Sequence, residues 1–286
     1  MKKFKMRKFS IIIFTILLLI ISFLLYARFI GTRNIIIKEF KIINKNITNE
    51  YHGLKIAHIT DIHYGRTTNE KTLKELVDKV NKTKPDIVVL TGDLIDKDTI
   101  LTNDMIKIIY SNLKKINASI KKYAISGNHD YKFNEWETII TKGDFINLND
   151  DFDLIYKDSN KPILFAGSST NNMGSTKITK KLFKTFEYIK ENKNIYNILL
   201  IHEPDYINKI DKNKFDLILA GHSHNGQVRF PFIGPIILPV GAKKYYNEYY
   251  KLNETELYIS GGIGTSTVNF RLFNKPSFNL YRLVNK

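Results

Sequence analysis

The chain reads as an α/β fold carried behind one N-terminal apolar helix. Three observations lead there. Apolar strands alternate with amphipathic helices through the first half. Five short polar segments each follow an apolar strand, at the strand ends where an open α/β sheet gathers ligands. Residues 9–30 are mostly Ile, Leu and Phe, unlike anything that follows them.

The N-terminus comes first. Residues 1–8 carry Lys2, Lys3, Lys5, Arg7 and Lys8 and no acid. The apolar stretch 9–30 behind them is interrupted only mildly, by Ser10, Thr15 and Ser22, and Arg28 comes near its end. At ~1.5 Å rise per residue such a helix spans a hydrocarbon core of ~30 Å. The basic cluster before it predicts a cytoplasmic N-terminus, a single-pass chain in the cell membrane, and everything downstream facing outside the cytoplasm. A cleaved signal peptide is the competing reading. It needs a shorter apolar region and a small-x-small cleavage site. Here the run ends Leu25-Tyr26-Ala27-Arg28-Phe29, bulky where small residues belong, so an uncleaved anchor is expected.

The remainder divides simply. Residues 31–50 read as a connector and 51–286 as one catalytic domain, with no repeat and no linker long enough to divide it. Segment 38–43 alternates loosely and could open a sheet. Segments 54–60, 86–91 and 122–125 read as buried strands, and 69–81 and 100–116 as helices with apolar residues at helical spacing. Strand, helix and strand in turn imply a mostly parallel sheet covered by helices. The second half is richer in strands: 145–148, 154–156, 163–166, 195–201, 215–220, 228–230, 257–260 and 280–283, with a helix at 179–190.

The net charge is +16, from 44 basic and 28 acidic residues. Residues 1–37 hold seven of the bases and no acid, which leaves the rest basic as well. Such a surface suits an anionic membrane, or it reflects only a lysine-rich composition. Nucleic acid is not expected, because no basic helix with interleaved aromatics is present. Cysteine is absent, which excludes disulfides and thiolate ligands.

Five of the seven histidines fall in the polar segments Asp61-Ile62-His63, Gly92-Asp93, Gly127-Asn128-His129-Asp130, His202-Glu203-Pro204 and Gly221-His222-Ser223-His224. Carboxylate, imidazole and one amide oxygen suit a pair of divalent transition metals, with Mn²⁺, Fe, Zn²⁺ and Co²⁺ all admitted. A chain that builds a two-metal site usually hydrolyses a phosphate ester with it. A carboxylate can bridge two cations, and Asp93 follows a glycine at the end of a central strand. Asp61 and His63 are two residues apart, which in an extended segment puts both on one side and lets both grip one ion. His222 and His224 share that spacing, yet ions ~3.5–4 Å apart would let them serve different metals. Asn128 offers an oxygen without charge, and His129 is left free as an acid. Each segment alone is as well explained by a turn. Five of them in succession, each at a strand end, are not.

These segments resemble the calcineurin-like metallophosphoesterase superfamily: Asp-x-His, Gly-Asp, Gly-Asn-His, a lone His and Gly-His-x-His, in the family's order. The resemblance covers roughly residues 52–275. Residues 221–227, 231–234 and 260–266 make the chain most similar to the membrane-associated bacterial phosphodiesterases near the lipid A pathway pyrophosphatases. The resemblance implies a sandwich of two mixed β-sheets flanked by helices. It implies Asp61, His63 and His224 on one metal, Asn128, His202 and His222 on the other, and Asp93 bridging. His129 would protonate the leaving group and Asp130, where the family more often has Glu, would orient its ring. Asn225 stands where relatives commonly carry Gly, a change in loop shape rather than chemistry.

The expected activity is hydrolysis of a phosphodiester or pyrophosphate on a membrane lipid, by water activated between the two ions. Soluble phosphomonoesters or nucleotides are the alternative substrates. A non-catalytic metal- or lipid-binding protein is the alternative class, which the free His129 argues against. Of the residues outside the pattern, His58 is expected to pack in the core. Arg66 is either a phosphate contact or a solvated loop residue. Segment 230–239, with three prolines, is either an apolar loop that admits a lipid headgroup or one packed internally. Tyr245, Tyr246, Tyr249 and Tyr250 are expected to be half-buried strand residues.

Overall fold

Both faces of nearly every central strand are apolar, and the architecture follows from that. The structure, a computed structural model, describes residues 2–157, 160–170 and 182–286. After α1 (Lys2–Phe29), the first half builds β1 (Ile36–Asn44), β2 (Lys55–Ile59), α2 (Glu70–Thr83), β3 (Ile87–Thr91), α3 (Asn103–Lys114), β4 (Lys121–Ile125), α4 (Trp136–Lys142) and β5 (Ile146–Asn147). The second half builds β6 (Phe152–Ile155), β7 (Ile163–Ser168), α5 (Phe183–Glu191), β8 (Tyr196–Ile201) and β9 (Leu217–Ala220). It ends with β10 (Arg229–Phe230), β11 (Gly234–Pro235), β12 (Tyr249–Leu252), β13 (Thr255–Ile259) and β14 (Ser277–Asn285).

Among the described residues two six-stranded sheets result, in the orders β1-β14-β2-β3-β4-β5 and β12-β13-β9-β8-β7-β6, with β10-β11 as a small separate ribbon. Both are mixed. β2 to β5 run parallel, as do β7, β8, β9 and β13, while β14 on β2, β6 on β7 and β12 on β13 are antiparallel. The sandwich of two mixed sheets flanked by helices is therefore the fold.

Alternate residues serve alternate layers, as the two-residue period of a strand requires. Ile56, Ile87, Val89 and Ile125 point between the sheets, where they meet Phe165, Ile198, Leu200, Leu217 and Leu219. Ala57, Ile59, Val88, Leu90 and Ala124 point the other way, onto Leu73, Leu76, Val77, Val80, Ile109 and Leu113 of α2 and α3. Leu164, Leu199, Ile201 and Ile218 pack outward beneath Ile189 and Ile207. Neither face meets water, so these strands show no polar alternation.

The helix ends follow side-chain chemistry. Asn69 caps α2 by accepting from Thr72 N at 3.2 Å, and Thr102 caps α3 by accepting from Met105 N at 3.3 Å. α2 stops at Lys84 in a left-handed conformation (φ 50°), immediately before Pro85.

Three elements depart from the sequence expectation. Segment 31–50 is not a free connector, since β1 pairs along its whole length with β14. α4, a short helix of about two turns around Trp136 and Ile140, was too brief for a periodic signal. Of the four tyrosines expected as half-buried strand residues, only Tyr250 is one: Tyr249 starts β12 but is exposed, Tyr245 is buried and Tyr246 half-buried outside any strand, and the Tyr245 and Tyr250 rings meet edge-on at 5.1 Å. The expected helix 179–190 begins outside the described residues, and its described part starts at Phe183.

The parallel strands end level with one another. Ile59 pairs with Leu90, Thr91 with Ile125 and Leu200 with Leu219. Each of the five polar segments leaves the sheets along that one edge.

Candidate metal centre

At that edge the backbone turns sharply. Asp61 and His63 (φ 48° each), Asp93 (54°), His222 (65°) and His224 (48°) all lie in the left-handed region. Side chains other than glycine rarely adopt it. Held together at one edge, such residues mark a functional site, each at a cost of order 1–3 kcal/mol. The convergence of Asp61 with His63 thus comes from left-handed backbone on either side of Ile62, not from an extended segment. Two glycines make the crowding possible. A Cβ on Gly92 would lie 2.6 Å from the Gly127 backbone, and one on Gly127 would lie 2.2 Å from Asp93 Oδ1.

The first group is Asp61, His63 and His224, all buried. His63 Nε2 lies 3.2 Å from His224 Nε2 and 3.7 Å from Asp61 Oδ1, and His224 Nε2 lies 3.4 Å from that same oxygen. Atoms so spaced share a centre about 2 Å from each, the bond length of a divalent metal to nitrogen or oxygen. Asp61 Oδ1 has no hydrogen-bond partner among the described residues, while Oδ2 accepts His222 N at 2.9 Å.

Asp93, His202 and His222 form the second group. His202 Nδ1 donates to Thr91 O at 2.6 Å, which leaves a lone pair on Nε2. That Nε2 faces Asp93 Oδ2 at 3.3 Å. A carboxylate oxygen and an unprotonated ring nitrogen repel at that distance unless a proton or a cation lies between them. His222 Nε2 donates to Val240 O at 2.8 Å, so its Nδ1 is the nitrogen left free. Asn128 sits on the strap between Gly127 and His129, and its Oδ1 is buried without a partner among the described residues.

Asp93 stands between the groups. Its Oδ1 accepts His129 N at 2.8 Å, and its Oδ2 lies 3.6 Å from His63 Nε2 as well as 3.3 Å from His202 Nε2. One carboxylate oxygen therefore faces both clusters.

The electrostatics call for positive charge. Burial would raise the Asp61 carboxyl, but His224, His63 and His202 hold it well below the usual range. Burial would raise Asp93 too, and His202, His63 and His129 pull it down. In return, His63 is lifted to about 9 against its own burial, by Asp61, Asp96 and Asp93. Without a metal, the imidazoles can neutralise these carboxylates only by taking protons. Divalent cations supply that charge with no proton. Orphaned oxygens, lone pairs that face one another and an oxygen and nitrogen donor set all fit a dinuclear metal site.

His129 is arranged differently. Its Nδ1 accepts from Lys97 N at 3.1 Å and lies 3.4 Å from Asp96 Oδ2. Its Nε2 points inward, 3.9 Å from Asp93 Oδ2. Asp130 does not orient this ring as expected. Its oxygens accept the backbone N–H groups of Ile95 (3.1 Å) and Gly127 (2.9 Å), so it ties two loops together.

Asp96 takes the place beside the ring. Its Oδ2 also lies 3.3 Å from His63 Nδ1, so the carboxylate favours a hydrogen on that nitrogen, the tautomer that leaves Nε2 for a metal. Asp96 follows Asp93 by three residues, and its sequence signal is a second acid flanking the apolar pair Leu94-Ile95. Arg271 was not legible at all. It is fully buried, donates from Nη2 to Gly264 O (2.7 Å) and Gly261 O (2.8 Å), and stands 3.3 Å from His224 Nδ1. Arg66 is held by Asn269 Oδ1 (2.7 Å) and Thr267 O (2.8 Å). His58 is a core residue, with Nε2 2.8 Å from Thr91 Oγ1 and Nδ1 3.3 Å from Tyr281 OH.

Fold and site together define a metal-dependent phosphoester hydrolase. The chain belongs to the calcineurin-like phosphoesterase family, which matches it over residues 54–226. It is 29% identical over 261 residues to the uncharacterized metallophosphoesterase YkuE of Bacillus subtilis, covering 90% of this chain and 88% of that one. It is 25% identical to the phosphodiesterase YaeI of Escherichia coli, covering 80% of this chain and 82% of YaeI. It is 24% identical to the UDP-2,3-diacylglucosamine pyrophosphatase LpxG of Chlamydia muridarum, covering 82% and 84% of the two chains. The protein is a metallophosphoesterase of phosphodiesterase-like type, and its N-terminal apolar helix is a membrane anchor or a signal sequence.

Proposed function

We propose that the protein is a membrane-anchored hydrolase of a phosphodiester or pyrophosphate carried on a lipid, working outside the cytoplasm. The observation that carries the reading is the Asp93 carboxylate between two His/Asp groups, with the uncommitted His129 Nε2 beside it. In this reading Asp61, His63 and His224 would hold one divalent ion, Asn128, His202 and His222 would hold the other, and Asp93 would serve both. When bound, such a pair activates water as the nucleophile and neutralises charge on the phosphoryl oxygens.

The chain's own contribution is proton control. With Lys97 N–H donating to Nδ1, neutral His129 keeps its hydrogen on Nε2, the side that faces the site. The acid form is the ring protonated on both nitrogens, with Asp96 Oδ2 3.4 Å from Nδ1 beside its charge. Its Nε2 hydrogen passes to the leaving oxygen as the bond to phosphorus breaks, and the ring returns to the neutral state until it takes another proton from solvent.

Retention of α1 is supported by how its end is built in. Ala27 is buried, Arg271 N donates to Ala27 O at 3.0 Å, and Gly31 lies where a Cβ would come 2.0 Å from Arg271 O. A segment removed after export has no need of such packing. The five bases of residues 2–8 favour a cytoplasmic start. A lipid substrate is supported by that anchor and by the name of LpxG, a UDP-2,3-diacylglucosamine pyrophosphatase; the name of YaeI supports a phosphodiester.

The test is to strip purified full-length protein of metal, add back Mn²⁺, Fe²⁺, Zn²⁺ or Co²⁺ singly, and assay bis(p-nitrophenyl) phosphate and lipid phosphoesters. Metal-restored diester hydrolysis that Asp93→Asn abolishes is expected. Metal binding with no hydrolysis of any phosphoester would overturn the reading.

A further inference from the structure

The segment after the last metal-type histidines exposes an unusual run of apolar side chains. Phe232 is fully exposed, Ile233 is 75% and Val240 83% exposed, and Ile236 and Ile237 are each more than half exposed. Phe232 is also in the left-handed region (φ 65°), a conformation unfavourable for a bulky residue. A strained phenylalanine held out at a loop tip gains nothing from water.

Its surroundings identify what it meets. Phe23 of α1 stacks on Phe230 with ring centroids 6.4 Å apart, and lies 6.5 Å from Phe273. Phe230 and Phe273 meet each other at 6.0 Å. Phe23 lies six residues before Phe29, the end of the apolar helix, and so about 9 Å back along it. If α1 spans a bilayer over residues 8–29, the root of the loop is already below the level where the helix leaves the hydrocarbon. The tip residues Phe232 and Ile233 extend from that root.

We propose that residues 231–240 form a second membrane element, an apolar loop inserted into the outer leaflet beside α1. This rests on the reading that α1 is retained and crosses the membrane. The occupant of the exposed face is the acyl region of the bilayer, at the interfacial depth of roughly 5–10 Å that such segments reach. A narrow cleft lined by Ser223, His224, Gln227, Ile237, Pro239 and Val268 runs between this loop and the metal centre. With the loop inserted, the cleft opens at headgroup level. A lipid phosphoester then reaches His224 without its chains leaving the membrane.

The chain has no cysteine, so a single replacement takes one nitroxide label. Phe232→Cys, Ile233→Cys, Leu18→Cys in α1 and Tyr156→Cys beside β6 are made in the full chain and placed in vesicles of phosphatidylcholine and phosphatidylglycerol. Collision with oxygen, which concentrates in the bilayer, is compared with collision with a water-soluble nickel chelate. All four variants keep their hydrolysis of bis(p-nitrophenyl) phosphate, since none of these positions touches the metal centre. Labels at positions 18, 232 and 233 are expected to favour oxygen and to lose most nickel accessibility, while position 156 favours nickel. Nickel-accessible labels at 232 and 233 beside an oxygen-accessible label at 18 overturn the insertion and leave the anchor standing. A nickel-accessible label at 18 removes the anchor, and the insertion with it.

Discussion

His129 differs from the other site histidines in how its two nitrogens are engaged. Nδ1 has an N–H donor (Lys97) and a carboxylate (Asp96) within reach, so either protonation state of that nitrogen finds a partner. Removing the ring removes the proton source and none of the atoms grouped around Asp61 and Asp93. His129→Ala is therefore expected to lower kcat for a phosphodiester by ~10²–10⁴-fold. Metal content measured on the same sample should stay at the wild-type level. Asp96→Asn should cost ~10–100-fold, because it loosens His63 and His129 together. A wild-type kcat in either variant would take that residue out of the mechanism. His58 illustrates the opposite case, a histidine outside the chemistry. Burial lowers its pKa to about 3, against ~6.5 in the unfolded chain. Between those values the unfolded chain binds a proton that the folded one refuses. Stability contributed by His58 is thus full above pH ~6.5 and falls by ~1.4 kcal/mol per pH unit as the pH drops toward 3. Urea unfolding from pH 7 to pH 4 should show His58→Gln with a flatter acid limb than the wild type, and parallel limbs would contradict the assignment.

At the scale of elements, the central strands were legible because each is a short apolar run closed by a polar motif. Their order in the two sheets was not, since pairing depends on contacts distant in the chain. β14 inserts between β1 and β2, and nothing local in residues 277–285 indicates it. The metal-type residues were legible for the same reason as the strands, because strand ends deliver them. The supporting residues were hidden. Arg271 reaches the site through loop carbonyls and His224, and it lies 47 residues beyond that last metal-type histidine. It also joins two elements that read as independent, the end of α1 and the metal centre. Its backbone N–H binds Ala27 O, its carbonyl fills the space beside Gly31, and its guanidinium stands beside His224. A methyl group on Gly31 cannot be placed without moving that backbone, since the nearest atom, 2.0 Å away, is a carbonyl oxygen. Gly31→Ala is expected to weaken metal retention by ~10-fold or more, at the scale of other losses in metal-site support. The change can be measured as metal bound per chain during titration with a chelator. Unchanged retention would mean that the helix end and the site are mechanically separate.

For the whole molecule, the edge that carries the site costs stability that the rest of the fold must offset. Five left-handed site residues at order 1–3 kcal/mol each, with buried carboxylates facing ring nitrogens, form a destabilising cluster when no cation is present. The three apolar layers can hold it, because they extend through both sheets and reach the site only at the strand ends. Ions that bind the folded chain and not the unfolded one stabilise it by ~2.7 kcal/mol at a free concentration of one hundred times Kd. A chain of this size gains roughly 2–4 °C in Tm per kcal/mol. Chelation of the full-length protein in detergent should therefore lower Tm by about 5–10 °C, and Mn²⁺, Fe²⁺, Zn²⁺ or Co²⁺ should restore it together with activity. The Asp93→Asn variant should show a much smaller metal-dependent shift, because the oxygen common to both groups loses its charge. If chelation abolished activity while Tm stayed constant, the strained edge would be held entirely by the protein. Hydrogen bonds such as Asp130 to Ile95 N and Gly127 N would then carry the rigidity here assigned to the ions.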